Sequence, residues 1–128
     1  MSLGSWQPQI HRLEARWLEE FIALGRQEPL PDLNAALDDD LRHRGALMAL
    51  TEPAWLEAVQ DFDRAEIVAL MRFLVVAEAT LPGWEAGAGS PVIYLNHLLK
   101  RRETPLDQDE LRWIKAHTSN RFLPNGPL

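Results

Sequence analysis

Four histidines, His11, His43, His97 and His117, are the residues best suited to acid–base or metal chemistry in this chain, and they fall on four different segments. None has a second histidine at metal-ligand spacing, and the helical zinc-protease pattern is absent. Each is expected to do no more than hydrogen-bond at the surface or in a half-buried position. Asp38, Asp39 and Asp40 suggest a metal site only on first sight. Consecutive residues on a helix point about 100° apart, so the three cannot converge on one ion. Arg42, His43 and Arg44 follow them at a spacing of four, which predicts acid-to-base pairs along a solvated helical face.

Nucleophilic and cofactor chemistry have little material. Cysteine is absent, which removes disulfides, thiolate nucleophiles, iron–sulfur clusters and cysteine-containing zinc sites. The four serines, Ser2, Ser5, Ser90 and Ser119, lie outside the elbow pattern that exposes a hydrolase nucleophile. Ser90 follows Gly87-Ala88-Gly89 at a helix start, where backbone N–H groups could cradle an anion. No strand precedes it and no lysine follows, so it reads as a cap. We therefore assign no catalytic, metal or cofactor-binding residue and expect no cofactor.

Two constellations merit more. Glu66, Arg72 and Glu78 interrupt an otherwise apolar segment, and an unpaired buried charge would be too costly to keep. Structural ion pairing is the favoured reading. The alternative is an enzyme or small-ligand pocket beside this segment, lined by Arg72, Glu78, Trp84 and His97, with residues 82–89 as a lid. The second constellation is cationic: Lys100, Arg101, Arg102, Arg112, Lys115 and Arg121. Residues 90–128 carry 6 basic and 4 acidic side chains, against 7 and 15 in residues 1–89. Two helices joined by a short turn there resemble a helix-turn-helix in outline only. Asp107, Asp109 and Glu110 crowd the turn that would meet phosphate, and the whole chain is at −6, so nucleic acid is a disfavoured partner. Of the five tryptophans, Trp17, Trp55 and Trp113 fit helical stripes and are read as core, Trp6 stands near the chain start, and Trp84 sits in the glycine-rich stretch.

The elements that must position these groups are helical. Ile10, Leu13, Trp17, Phe21 and Leu24 recur at steps of three or four and predict a helix over residues 6–26, with Gly25 as terminator. Asp32 caps a second helix carrying Leu33, Leu37 and Leu41, which Gly45 ends or kinks. Thr51 starts a third, with Trp55 and Val59 inward. Asp63 and Glu66 have capping-box spacing and open a fourth over residues 64–81, apolar around nearly its whole circumference and thus expected at the centre. Ser90 and Pro91 start a fifth, and Thr104 to Asp107 a sixth. The fold class expected is all-α, a bundle of about six helices around residues 64–81.

At 128 residues and 46% hydrophobic, the chain is expected to form a single domain, residues 1–128, soluble and cytoplasmic. Residues 1–5 are expected to be disordered or vector-derived, and residues 121–128 an irregular tail with Phe122 and Leu123 folded back. No run approaches the roughly 20 apolar residues of a membrane span. The functional expectation is a small non-catalytic protein–protein interaction or regulatory module. Its partner is another protein or a second copy (a homodimer), met through the cationic surface.

Overall fold

The structure is a computed structural model, and it describes residues 13–127. Trp6, His11, and the stretch of the first expected helix before residue 13 lie outside the described residues, as does Leu128. Among the described residues there are seven α-helices and two short 3-10 turns, with no strand.

The fold grows from one strongly specified helix, α5 (Arg64–Thr80). Its capping box forms as the spacing requires: Glu66 N–H donates to the Asp63 carboxylate at 2.8 Å, and Asp63 N–H donates to Glu66 at 2.8 Å. Ile67, Leu70, Met71, Phe73, Leu74, Val75 and Ala77 are all buried. Against it lies α1 (Ala15–Gly25), the most extensive helix–helix packing in the molecule. Phe21 of α1 stacks on Phe73 with ring centroids 4.2 Å apart. Trp84 meets both rings edge-on at 6.0 Å, a favoured aromatic geometry.

Gly25 does not terminate α1 by adopting a left-handed conformation. It is buried against α5, and a Cβ there would sit 1.9 Å from the Ala69 carbonyl oxygen. The glycine permits backbone-to-backbone approach where the two helices meet.

The second expected helix is broken. It becomes α2 (Leu33–Ala36), α3 (Asp39–Arg42) and a 3-10 turn (Gly45–Ala49). The physical reason is Asp38, which is extended at ψ 172° and caps α3 by accepting from Leu41 N–H at 2.9 Å. A local cap outcompetes helix continuation. Of the expected acid-to-base pairs, Asp40–Arg44 forms at 3.0 Å, whereas Arg42 pairs with Asp39 and the His43 ring meets the Asp39 backbone carbonyl.

α4 (Glu52–Ala58) buries Trp55, whose indole N–H reaches the Leu47 carbonyl at 3.2 Å. α6 (Pro91–Arg101) starts at Ser90, whose hydroxyl accepts from Val92 N–H. α7 (Gln108–His117) starts at Asp107 with a second capping box, Glu110 supplying the return bond. Residues 121–127 form turns without a helix. They fold back with Leu123 1% exposed, and Asn96 donates to the Pro124 carbonyl at 3.2 Å.

α5 is central, as expected, with one side less covered: Ala65 is exposed, and Val68, Arg72 and Val76 are half-buried. At spacings of three and four these residues form one stripe. Among the described residues, Val68 and Arg72 line two adjoining hollows and Ala65 lines one of them. No helix among the described residues is long and apolar enough to cross a membrane.

Candidate functional site

The groove lies where α5 is left uncovered, between the end of α1 and α7. A cavity of about 250 Å³ has Val68, Met71, Leu106 and Ile114 as its apolar floor and Trp113 as a wall, with Arg72 and Glu28 at one edge and Asp107, Asp109 and Glu110 along α7. A second hollow of about 260 Å³ shares Val68, Arg72 and Glu110 and extends to Gly25, Arg26, Arg64 and Ala65. Each is small beside the roughly 300–1,000 Å³ of a drug-sized pocket.

The polar rim is organised by two arginines of α5. Arg64 donates to both Glu110 oxygens, at 2.6 and 3.0 Å, and to the Pro105 and Thr104 carbonyls at 2.8 and 3.2 Å. The hydrogen bond to Glu110, then the charge of that carboxylate, raise the Arg64 pKa above its ordinary value. Arg64 thus anchors the start of α7 to the start of α5. Arg72, two turns on, lies with its guanidinium carbon 4.6 Å from the Trp113 ring centroid. Its Nη1 donates to Glu28 and its Nη2 to the Gln27 carbonyl at 3.2 Å, while Nε is buried with no acceptor among the described residues. The hydrogen bond from Arg72, followed by its charge, holds the Glu28 carboxyl below the usual carboxylate range. Trp113 is also stacked on His117, with centroids 3.9 Å apart.

The four residues expected to share a pocket are distributed differently. Arg72 lines the groove. Glu78 lines a separate open hollow with Asn120 and Arg121. There it is 8% exposed and accepts from Ser90 Oγ at 2.7 Å, Asn120 Nδ2 at 2.9 Å and Ala86 N–H at 3.3 Å. It ties α5 to residues 86–90 and to the tail. Trp84 is fully buried, its indole N–H donating to the Arg42 carbonyl at 2.9 Å, because the loop that carries it folds under rather than over the core. His97 is half-buried on α6.

The cationic set is similarly divided. Arg102 donates to the Phe62 and Gln60 carbonyls at 2.7 and 3.0 Å, holding the α4–α5 connection. Arg112 bonds Asp109 and Gln108 on its own helix, both at 3.0 Å. Lys100, Arg101, Lys115 and Arg121 are exposed. Lys100 reaches Asn125 at 3.4 Å, and Arg121 lies 4.9 Å from the Phe122 ring centroid.

Glu28, Val68, Trp113 and the Arg64–Glu110 pair were not singled out from the sequence as site residues. Trp113, read there as core, is half-buried because it stands beside the Leu111–Ile114 stripe, not within it. Among the described residues, no three histidine, aspartate or glutamate side chains converge as a metal site requires. No protein-family model matches the chain, and no curated protein or solved structure matches it.

Proposed function

We propose that this protein is a non-catalytic interaction module that seats a short segment of a partner protein in the groove along α5. The observation that carries the reading is the stripe Ala65–Val68–Arg72, incompletely covered by the described residues and flanked by two adjoining hollows. Seven residues of helix rise about 10 Å, and three residues of extended chain cover about the same length. Two adjoining hollows along one helix suit such a segment.

Filling each hollow with one apolar side chain would supply about 1.5–3 kcal/mol before association costs. The fit is to a weak, transient contact, since association costs consume most of that gain. The cationic face of α6 and α7 is a weaker candidate, because Arg102 and Arg112 already hold groups of the protein itself. Cytoplasmic placement is part of the same reading, resting on the cysteine-free sequence.

Panning a displayed random-peptide library against the purified protein tests this. Enriched clones should lose binding to Val68→Glu and Arg72→Glu variants and keep it against Lys115→Glu. Clones indifferent to both groove substitutions would contradict the proposal.

A further inference from the structure

Resting on the groove reading, we infer that the partner segment carries a basic residue, lysine or arginine, into the hollow beside Trp113. Its methylene stem lies on the apolar floor and its cationic head meets the carboxylates of the rim. The hollow has both parts that such a side chain needs. Val68, Met71, Leu106 and Ile114 form the floor, while Glu28, Asp107, Asp109 and Glu110 stand around it against the single guanidinium of Arg72. Long basic side chains bury their stems on apolar surface and keep the charge at its wet edge.

The four carboxylates differ in how firmly they are held. Both Glu110 oxygens accept from Arg64, at 2.6 and 3.0 Å, and Glu28 accepts from Arg72. Asp109 pairs with Arg112 at 3.0 Å, but the two side chains are 92% and 71% exposed. Such a pair is weak and readily exchanged. Asp107 caps α7 by accepting from Glu110 N–H at 2.8 Å, and among the described residues it bonds no cationic side chain. Even with three arginines assigned to Glu28, Asp109 and Glu110, the rim therefore keeps the charge of Asp107. The indole of Trp113 already carries Arg72 and His117, so the carboxylates and not the ring receive the incoming cation.

The sign of the charge reverses in the adjoining hollow, where Arg26, Arg64 and Arg72 stand against Glu110. A cation is thus directed to one hollow and away from the other. Arg72 keeps Glu28 and Trp113 in place, so reversing its charge dismantles the rim instead of deepening it.

The probes are three capped peptides, acetyl-Leu-Ala-X-Ala-Leu-amide, with X as Lys, Gln or Glu. In an extended chain the two leucines and X share one face. Binding is followed by amide chemical-shift changes in the full-length protein. The Lys peptide should bind about fivefold tighter than the Gln peptide, and the Glu peptide should bind least. The difference should shrink as salt is raised, because the rim charges are exposed. Asp107→Asn keeps a capping side chain. Combined with Asp109→Asn, it should erase the preference for Lys and leave the Gln peptide's affinity and the Tm nearly unchanged.

Equal affinities for Lys and Gln, with shifts centred on Val68, Met71 and Ile114, would overturn the basic inference alone. Tightest binding by the Glu peptide, or a Lys preference that survives both aspartate substitutions, would do the same. Shifts mapping elsewhere, or none with any peptide, would overturn the groove reading with it.

Discussion

The guanidinium of Arg72 lies over the indole of Trp113, 4.6 Å from the ring centroid, so the cation of the central helix is fixed by an aromatic from α7. Arg72 lines the groove, and its buried Nε has no acceptor among the described residues. Such a residue contributes to a site at some expense to the fold.

Arg72→Met should therefore change stability little. A cation–π contact at a partly exposed position is worth about 0.5–1 kcal/mol, and a buried donor left unmade costs about 1–3 kcal/mol. Adding the exposed pair to Glu28, worth about 0–1 kcal/mol, the losses and the gain nearly cancel, so urea denaturation should show a change within about 1 kcal/mol in either direction. A loss of more than about 2 kcal/mol would make Arg72 a structural residue.

Glu28 should titrate low. Its carboxyl is held below the ordinary range by the hydrogen bond and charge of Arg72. A value depressed in the folded state means that the pair's contribution is present above the unfolded value and is lost as pH falls through the folded one. Following the Glu28 side-chain carboxyl carbon by NMR should give a midpoint under the ordinary glutamate range, restored by Arg72→Met. An ordinary midpoint in the wild type would mean the pair does not persist in solution.

Gly25→Ala should destabilise by about 1–3 kcal/mol or more, since overpacking forces a shift. The clash is with backbone: the new Cβ would lie 1.9 Å from the Ala69 carbonyl oxygen, so α1 must move away from α5. Thermal denaturation checks this, and an unchanged Tm would contradict the close approach.

Glu78→Leu should cost about 2–4 kcal/mol by orphaning donors in a mostly buried network. Ser90, Asn120 and Ala86 all lose their acceptor, so hydrogen exchange should quicken around residues 86–90 and 118–123. Glu78→Gln should be milder because an acceptor oxygen remains. Unaltered exchange in both stretches would remove Glu78 from its tethering role.

The architecture was readable where local chemistry and hydrophobic pattern agree. Asp63 and Glu66 announce α5, Ser90 and Pro91 announce α6, and Asp107 announces α7, each by side-chain bonds that form within a few residues. The break at Leu37–Asp38 was not readable, because Asp38 is equally plausible as a helical acid and as a cap, and packing decides. The groove escaped for a related reason. An apolar circumference says that a helix wants covering, but whether neighbours reach Val68 and Val76 depends on crossing geometry set by contacts such as Gly25 on Ala69. Arg72 was legible as an oddity within an apolar run. Its partners Glu28 and Trp113 are 44 and 41 positions away, and nothing local pairs them.

The central claim is that the α5 stripe is where a partner segment sits. A photo-reactive phenylalanine analogue placed at Val68, compared with one at exposed Ala35, tests it most directly when both proteins are irradiated in cells and the adducts are sequenced. The account predicts that the Val68 position yields adducts on one recurring segment of a partner protein, suppressed by Arg72→Glu and absent from the Ala35 position. Adducts that are the same from both positions, or that persist unchanged with Arg72→Glu, would contradict it.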